Sequence, residues 1–323
     1  MSHSTPTSTG TGLIQAQVTA IRLEAPDVLS VELLAPDGSA LPPADPGMHV
    51  DLHLPNGVAR PYSIVANEEG AYLLGIKREA RSLGASAYVH DRLRVGDSVG
   101  VAVPRQKFAL TEEAENSILI AGGIGITPLI SMARALHDTN RPWQLHYASR
   151  HAKSSPFARR LKNLGNRVHV YGSRSDFDAR LLDIGALVGN APPGTHFYCC
   201  GPAGMLGDFV SATRDLDPAL VHLERFEPAT PPFDAGAFDL HLARSDRHIK
   251  VHAHQSALDA LLAHGVDIDY SCRQGICGSC QARVLHGVPD HRDEVLTEAE
   301  RAANRSIILC CSRACSSELV LDL

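Results

Sequence analysis

The chain has 323 residues, 44% of them hydrophobic, 20% charged and 5% aromatic. That length and apolar share give two or three domains a core each, and they exclude a fibrous repeat or a chain disordered throughout. Thirty Lys and Arg against 36 Asp and Glu leave a net charge of −6, without the basic excess that a nucleic-acid partner calls for. The longest apolar run, ILIAGGIGITPLI at 118–130, falls short of the roughly 18–20 residues of a membrane span.

Residues 1–12 are polar and lack the charged start and apolar core of a secretory signal, so they read as the solvated tail of a cytoplasmic protein. From 13 to 110 short alternating runs (IQAQVTAIRL, VLSVELLA, HVDLHL, AYLLGIK, SVGVAVP) are separated by Pro, Gly, Asn and Asp, which predicts an antiparallel barrel or sandwich. From 111 to 226 the rhythm changes. The apolar runs SILIA, WQLHYAS, RVHVYGS and THFYCC alternate with helical stretches, the pattern of a parallel α/β domain. EPATPPFDAG, at 227–236, reads as a semi-rigid linker. Residues 237–323 then predict a small α+β unit. It comprises a hairpin from FDLHLAR and IKVHA, a helix capped by Ser256 and ended at Gly265, a strand QARVLHG, a helical TEAERAA, and strands SIILCC and LVLDL.

Five of the eight cysteines lie between Cys272 and Cys311, which favours metal ligation over disulfides. Cys272, Cys277 and Cys280 have C-x4-C-x2-C spacing, and Cys310 follows after 29 residues, as in plant-type 2Fe–2S ferredoxins. Two irons need four converging thiolates. Gly275, Gly278 and Ser279 let backbone amides approach the sulfides, while Cys310 closes the site from a neighbouring strand. Structural zinc is the alternative, but it prefers paired C-x2-C knuckles, and only Cys277 and Cys280 form one. Cys311, expected on the opposite face of the same strand, and Cys315 read as packed or partly exposed thiols.

Between 121 and 128, AGGIGITP follows a strand and opens a helix, with Thr127 as the expected N-cap and Pro128 at the first helical position. Gly122, Gly123 and Gly125 allow close backbone approach, and a helix N-terminus favours pyrophosphate. The same glycines also suit a tight strand-to-helix turn that binds nothing. Cys200, Gly201 and Pro202 end the strand THFYCC, where parallel sheets bind ligands; Cys199 is expected in the core. Ser149, Arg150 and Arg174 could reach a ribose phosphate, leaving NADPH open. The seventeen histidines show no repeated metal spacing and default to core or solvated roles.

In chain order, Arg60-Pro61-Tyr62-Ser63, AGGIGITP, CCGP, the cysteine loop and CCSRA from Cys310 resemble the phthalate dioxygenase reductase family, with Cys311 in place of a usual valine. The resemblance covers residues 13–323. It implies an antiparallel β-barrel flavin domain, an α/β parallel-sheet nicotinamide domain and an α+β β-grasp ferredoxin domain. It also implies FMN, NADH and a 2Fe–2S cluster as cofactors. By resemblance Tyr62 packs the flavin ring, Ser63 meets its N5, and Arg60 takes the phosphate. Lys77 and the turn up to Ser86 resemble a second phosphate site, although Leu83, Gly84 and Ala85 stand where the family has adjacent glycines. Cys200 would lie near the nicotinamide and Phe226, in LERF, would cover the flavin where hydride arrives. The implied activity passes electrons from NADH through FMN and the cluster to a separate Rieske-type oxygenase, whose substrate in this family is aromatic. No cysteine here is followed two positions later by histidine, so the Rieske centre belongs to another protein. That partner is expected to dock near the 272–280 loop. Residues 237–323 carry 12 acidic and 9 basic side chains, which suits a partner with a basic patch. A reductase for a carnitine-type monooxygenase would read alike; an iron–sulfur redox sensor without NADH turnover is the alternative from another class.

Overall fold

Apolar side chains at every second position give the first half of the chain strands with one buried face. In the computed structural model, which describes residues 8–9, 13–79, 84–112, 114–149, 155–172, 181–226, 236–253, 255–270, 273, 275, 277–293 and 295–323, these are β1 (Ser8–Thr9), β2 (Leu13–Ala25), β3 (Val28–Leu34), β4 (His49–His53), β5 (Ala59–Glu68), β6 (Ala71–Lys77) and β7 (Ser98–Val101). They pair antiparallel in the order β1-β2-β3-β6-β5-β4-β7, and β7 returns to β2, closing six strands into a barrel. Closure leaves no open edge on those six. Val18, Leu33, Val50, Leu52 and Leu74 fill the interior, joined by Ala85 and Val89 from a short helix, α1 (Ala85–Asp91).

The second sheet is parallel. Its elements are β8 (Asn116–Gly122), α2 (Ile126–Asp138), β9 (Trp143–Ala148), α3 (Ala158–Lys162), β10 (Val168–Tyr171), α4 (Ile184–Gly189), β11 (Thr195–Cys200), α5 (Ala203–Thr213) and β12 (Val221–Glu224). Strand order is β10-β9-β8-β11-β12, so the winding reverses between β8 and β11. The carboxyl ends of those two strands, Gly122 and Cys200, therefore flank a topological switch point, where open α/β sheets bind ligands. The helix start differs from expectation: α2 begins at Ile126 with Gly125 as its cap. Thr127 lies one residue inside and donates its hydroxyl to the Ile124 carbonyl at 3.0 Å, because the one-turn helix at Gly123–Gly125 already uses the capping position. Pro128 sits in the first turn, two residues beyond the first helical position. Both sheets belong to one compact unit, Met1–Glu224.

Arg225–Leu323 forms the other unit. It holds β13 (Phe238–Leu242), β14 (Arg247–Val251), α6 (Ala257–Ala263), β15 (Gln281–His286), β16 (Pro289–Asp290), α7 (Glu298–Ala303), β17 (Ser306–Ile308), β18 (Arg313–Ala314) and β19 (Glu318–Leu321). The main sheet runs β14-β13-β19-β15-β17, with β13 and β19 parallel and α6 laying Leu258 and Leu261 into its core. Ser256 caps α6 by accepting from the Asp259 amide, and Thr297 with Glu300 forms a capping box on α7. The predicted strand SIILCC stops at Ile308. Residues 309–311 are a turn, so strand alternation does not govern Cys310 and Cys311, and both are buried. Arg313 is wholly buried over the Phe238 ring and donates to the carbonyls of Gly236 (2.7 Å) and Gln255 (2.8 Å), tying the entry of the unit to the segment after Cys310. Among the described residues no helix is long and apolar enough to cross a membrane.

Candidate functional site

Three groupings carry the motif residues. On the barrel, Arg60, Tyr62 and Ser63 lie in β5, with Tyr62 and Ser63 opposite Val50 and His49 of β4. Ser63 is buried, and Tyr62 leans on the barrel core, where burial pushes its phenol up to about 12 and keeps it neutral. Lys77 ends β6 and pairs with Glu79 at 3.0 Å; Ser86, in the first turn of α1, accepts from the Glu79 amide at 3.1 Å. Glu79 thus draws the β6 end and α1 together. Of the turn preceding α1, Ser82 and Leu83 lie outside the described residues.

At the switch point AGGIGITP and CCGP stand against each other, and glycine is what lets them. A Cβ on Gly125 would lie 2.2 Å from the Cys200 carbonyl oxygen, and one on Gly122 2.6 Å from Pro202. Gly201 likewise meets Met205 sulfur at 2.7 Å. Those glycines serve the packing of loop on loop. Gly123 differs: its φ is +53° and a Cβ there would meet nothing within 4 Å, so its backbone faces open space at the start of α2. The arrangement offers a dinucleotide amides and a helix N-terminus on a mount that cannot shift. Cys199 packs in the core as expected, while Cys200 is buried at the strand end, its thiol pushed up by burial and by the neighbouring Glu224.

Glu224 is a residue the motif reading passed over. It ends β12 in register with Cys200 and is half-buried, and its Oε2 is buried without a hydrogen-bond partner. Burial pushes its carboxyl up to about 8, with Lys107 acting the other way. At neutral pH the pocket therefore presents a neutral carboxyl and a neutral thiol, adding no charge against an anionic dinucleotide. An acid closing the apolar run VHLE was the available signal. Ser149 is buried at the end of β9; Arg150 and Arg174 lie outside the described residues. Phe226 is half-buried in the second unit.

In that second unit Cys277, Cys280 and Cys310 are all buried, and Cys272 lies outside the described residues. The register brings two of them together. Gln281 pairs with Ile308 across β15 and β17, and the Leu309 amide donates to the Cys280 carbonyl at 3.1 Å, bringing Cys280 beside Cys310. Gly275 and Gly278 take φ near +75°, which a Cβ would oppose. A Cβ on Gly275 would also stand 2.5 Å from the Cys311 sulfur, so Cys311 underpins the loop. Arg273 holds the loop to α6 through Asp259 at 2.9 Å. Buried thiols on and beside a loop of close backbone fit the donor set of an iron–sulfur cluster.

Residues 240–315 match the family model of the 2Fe–2S iron–sulfur cluster binding domain. Phenoxybenzoate dioxygenase subunit beta of Ectopseudomonas oleovorans is 47% identical over 312 residues, covering 96% of this chain and 97% of that protein. Phthalate dioxygenase reductase, solved as a modular structure for electron transfer from pyridine nucleotides to 2Fe–2S, matches with a TM-score of 0.76 at 33% identity, over 97% of this chain and 98% of its own. The chain belongs to the phthalate dioxygenase reductase family. It is an NAD(P)H-dependent oxidoreductase of an oxygenase system, with a flavin-binding barrel, a nicotinamide-binding parallel sheet and a 2Fe–2S ferredoxin unit. An intact type IV self-sufficient cytochrome P-450 monooxygenase also matches, with a TM-score of 0.82 at 33% identity over 99% of this chain, which spans 43% of that longer one.

Proposed function

We propose that the chain is the NADH-linked, FMN-containing reductase of a separate Rieske-type oxygenase acting on an aromatic substrate in the cytoplasm. The observation that carries this reading is the joint presence of a switch-point loop pair with an open Gly123 backbone and a cysteine cradle built by the β15–β17 register. When bound, the flavin supplies the change from two-electron to one-electron chemistry, and the cluster supplies a one-electron carrier.

The protein's part is binding and orientation. Working boundaries are 13–110 for FMN, 111–226 for NADH and 237–323 for the cluster, with 227–236 as linker. Tyr62 supports the flavin ring, Ser63 donates near its N5, and Arg60, Lys77 and Ser86 hold phosphate. Gly122, Gly123, Gly125, Thr127 and Pro128 shape the pyrophosphate seat, and Cys200, Gly201 and Pro202 the nicotinamide end. Phe226 shields the flavin face, and Cys272, Cys277, Cys280 and Cys310 ligate iron. The oxygenase docks at the 272–280 loop. The phenoxybenzoate relative supports the aromatic class.

Anaerobic titration with NADH tests it: flavin bleaching and loss of the cluster's visible bands must both occur, and bleaching with unchanged cluster bands overturns the reading. The mass of the chromophore released on denaturation separates FMN from FAD. The match to a cytochrome P-450 enzyme favours a second reading, a haem-containing partner. The absorption spectrum of the co-purifying oxygenase decides between them.

A further inference from the structure

We propose that His241, Asp246 and His248 form a binding site for one divalent transition-metal ion of the zinc class, separate from the cluster. His241 on β13 and His248 on β14 are direct cross-strand partners. Their rings stack with centroids 4.2 Å apart and planes within 8°, so one imidazole turns out of the stack for both in-plane lone pairs to reach one ion. Asp246 belongs to the turn joining those strands, and its Oδ1 is 3.1 Å from His241 Nε2. One ligand atom from each of the three residues lies within 4.8 Å of the others, an arrangement found nowhere else among the described residues.

The donor set points to the ion. Two imidazole nitrogens and one carboxylate oxygen suit zinc, nickel, copper or iron, whereas calcium and magnesium take oxygen ligands. Glu318 of β19 stands 3.7 Å from His248 Nδ1. A carboxylate at that distance adds negative charge beside a bound cation. The two cations beside the turn are engaged elsewhere. Arg244 makes a two-point pair with Asp322 at 2.8 and 3.0 Å, and Arg247 donates to the His264 carbonyl at 2.6 Å.

Asp246 holds φ +49°, a conformation that Asp tolerates better than most residues, and the turn thereby carries its carboxylate back to His241. The side chains of Asp246 and His248 are 93% and 63% exposed, so an ion enters directly and keeps positions open to water. β14 is one edge of the sheet; β17, which leads into Cys310, is the other. Occupancy of the hairpin thus leaves the cysteine cradle untouched.

The test uses the full chain with its cluster in place, freed of loose divalent ions by a chelator and titrated with ZnCl2 by calorimetry and CoCl2 by visible absorption. One equivalent should bind with the cluster bands unchanged. His248→Ala should weaken binding at least about tenfold and Asp246→Asn should weaken it measurably, both with native circular dichroism; Glu318→Gln, which removes a nearby negative charge, should also weaken binding, and less so at high salt. Equal binding by the parent and His248→Ala, or zinc uptake only with loss of the cluster bands, overturns the proposal.

Discussion

Glu224 shows how one side chain sets a pH dependence. A carboxyl with a folded-state pKa of about 8 keeps a proton that the unfolded chain has released above about 4.5. Each pH unit between those values therefore costs the folded state roughly 1.4 kcal/mol. His222, lowered to about 4 chiefly by burial, has the opposite sign: it adds stability as pH rises from about 4 to 6.5. Between pH 6.5 and pH 8 the carboxyl outweighs the histidine, which has nearly finished titrating in the unfolded chain. The denaturant midpoint, followed by the single tryptophan, Trp143, should fall across that interval in the parent and fall less in Glu224→Gln. An equal fall in both would remove Glu224 as the cause. Cys310→Ser should abolish the cluster bands while NADH still bleaches the flavin; unchanged cluster content would shift the fourth ligand to Cys311. The spacing of cysteines was legible because covalent ligation fixes residue type and interval together. Glu224 was not legible, since its meaning comes from the strand beside it.

Among elements, the two loops at the switch point bear most of the demand. Backbone atoms of Cys200 and Gly201 stand where a side chain on Gly125 would go, and backbone cannot swing aside. Gly125→Ala should thus raise the KM for NADH more than tenfold or prevent folding, whereas Gly123→Ala, strained only by its φ, should fold and lose nicotinamide affinity alone. Thermal melts and steady-state kinetics together check this. Strand and helix types were readable here from period and composition. Two ends were not. Thr127 carries the chemistry of a cap, but the one-turn helix ahead of it moves the cap to Gly125. SIILCC is apolar to its last residue, yet the turn that presents Cys310 begins two residues before that end. In both places tertiary demands at a site overrode local preference.

At the scale of the molecule, charge is the readable quantity. Residues 237–323 carry three more acidic than basic side chains, so electron delivery to a partner with a basic face should slow as ionic strength rises from 0.05 to 0.5 M, while NADH oxidation by a small neutral acceptor should hardly change. A partner rate indifferent to salt would remove charge as the guide. The layout of barrel, parallel sheet and ferredoxin unit was legible because each has its own hydrophobic rhythm. The oxygenase's substrate was not legible, because the motifs of this chain specify electron transfer and not the group that is oxidised.

The buried Arg313 bears on how such reductases are recombined. Its guanidinium holds Gly236, a residue that a purely sequence-based cut would assign to the connecting stretch. Grafting the ferredoxin unit onto another enzyme with the splice at 237 would transplant the arginine without one of its carbonyl partners, leaving Gln255 and His252 to hold it. A graft that begins upstream of Gly236 carries lock and key together.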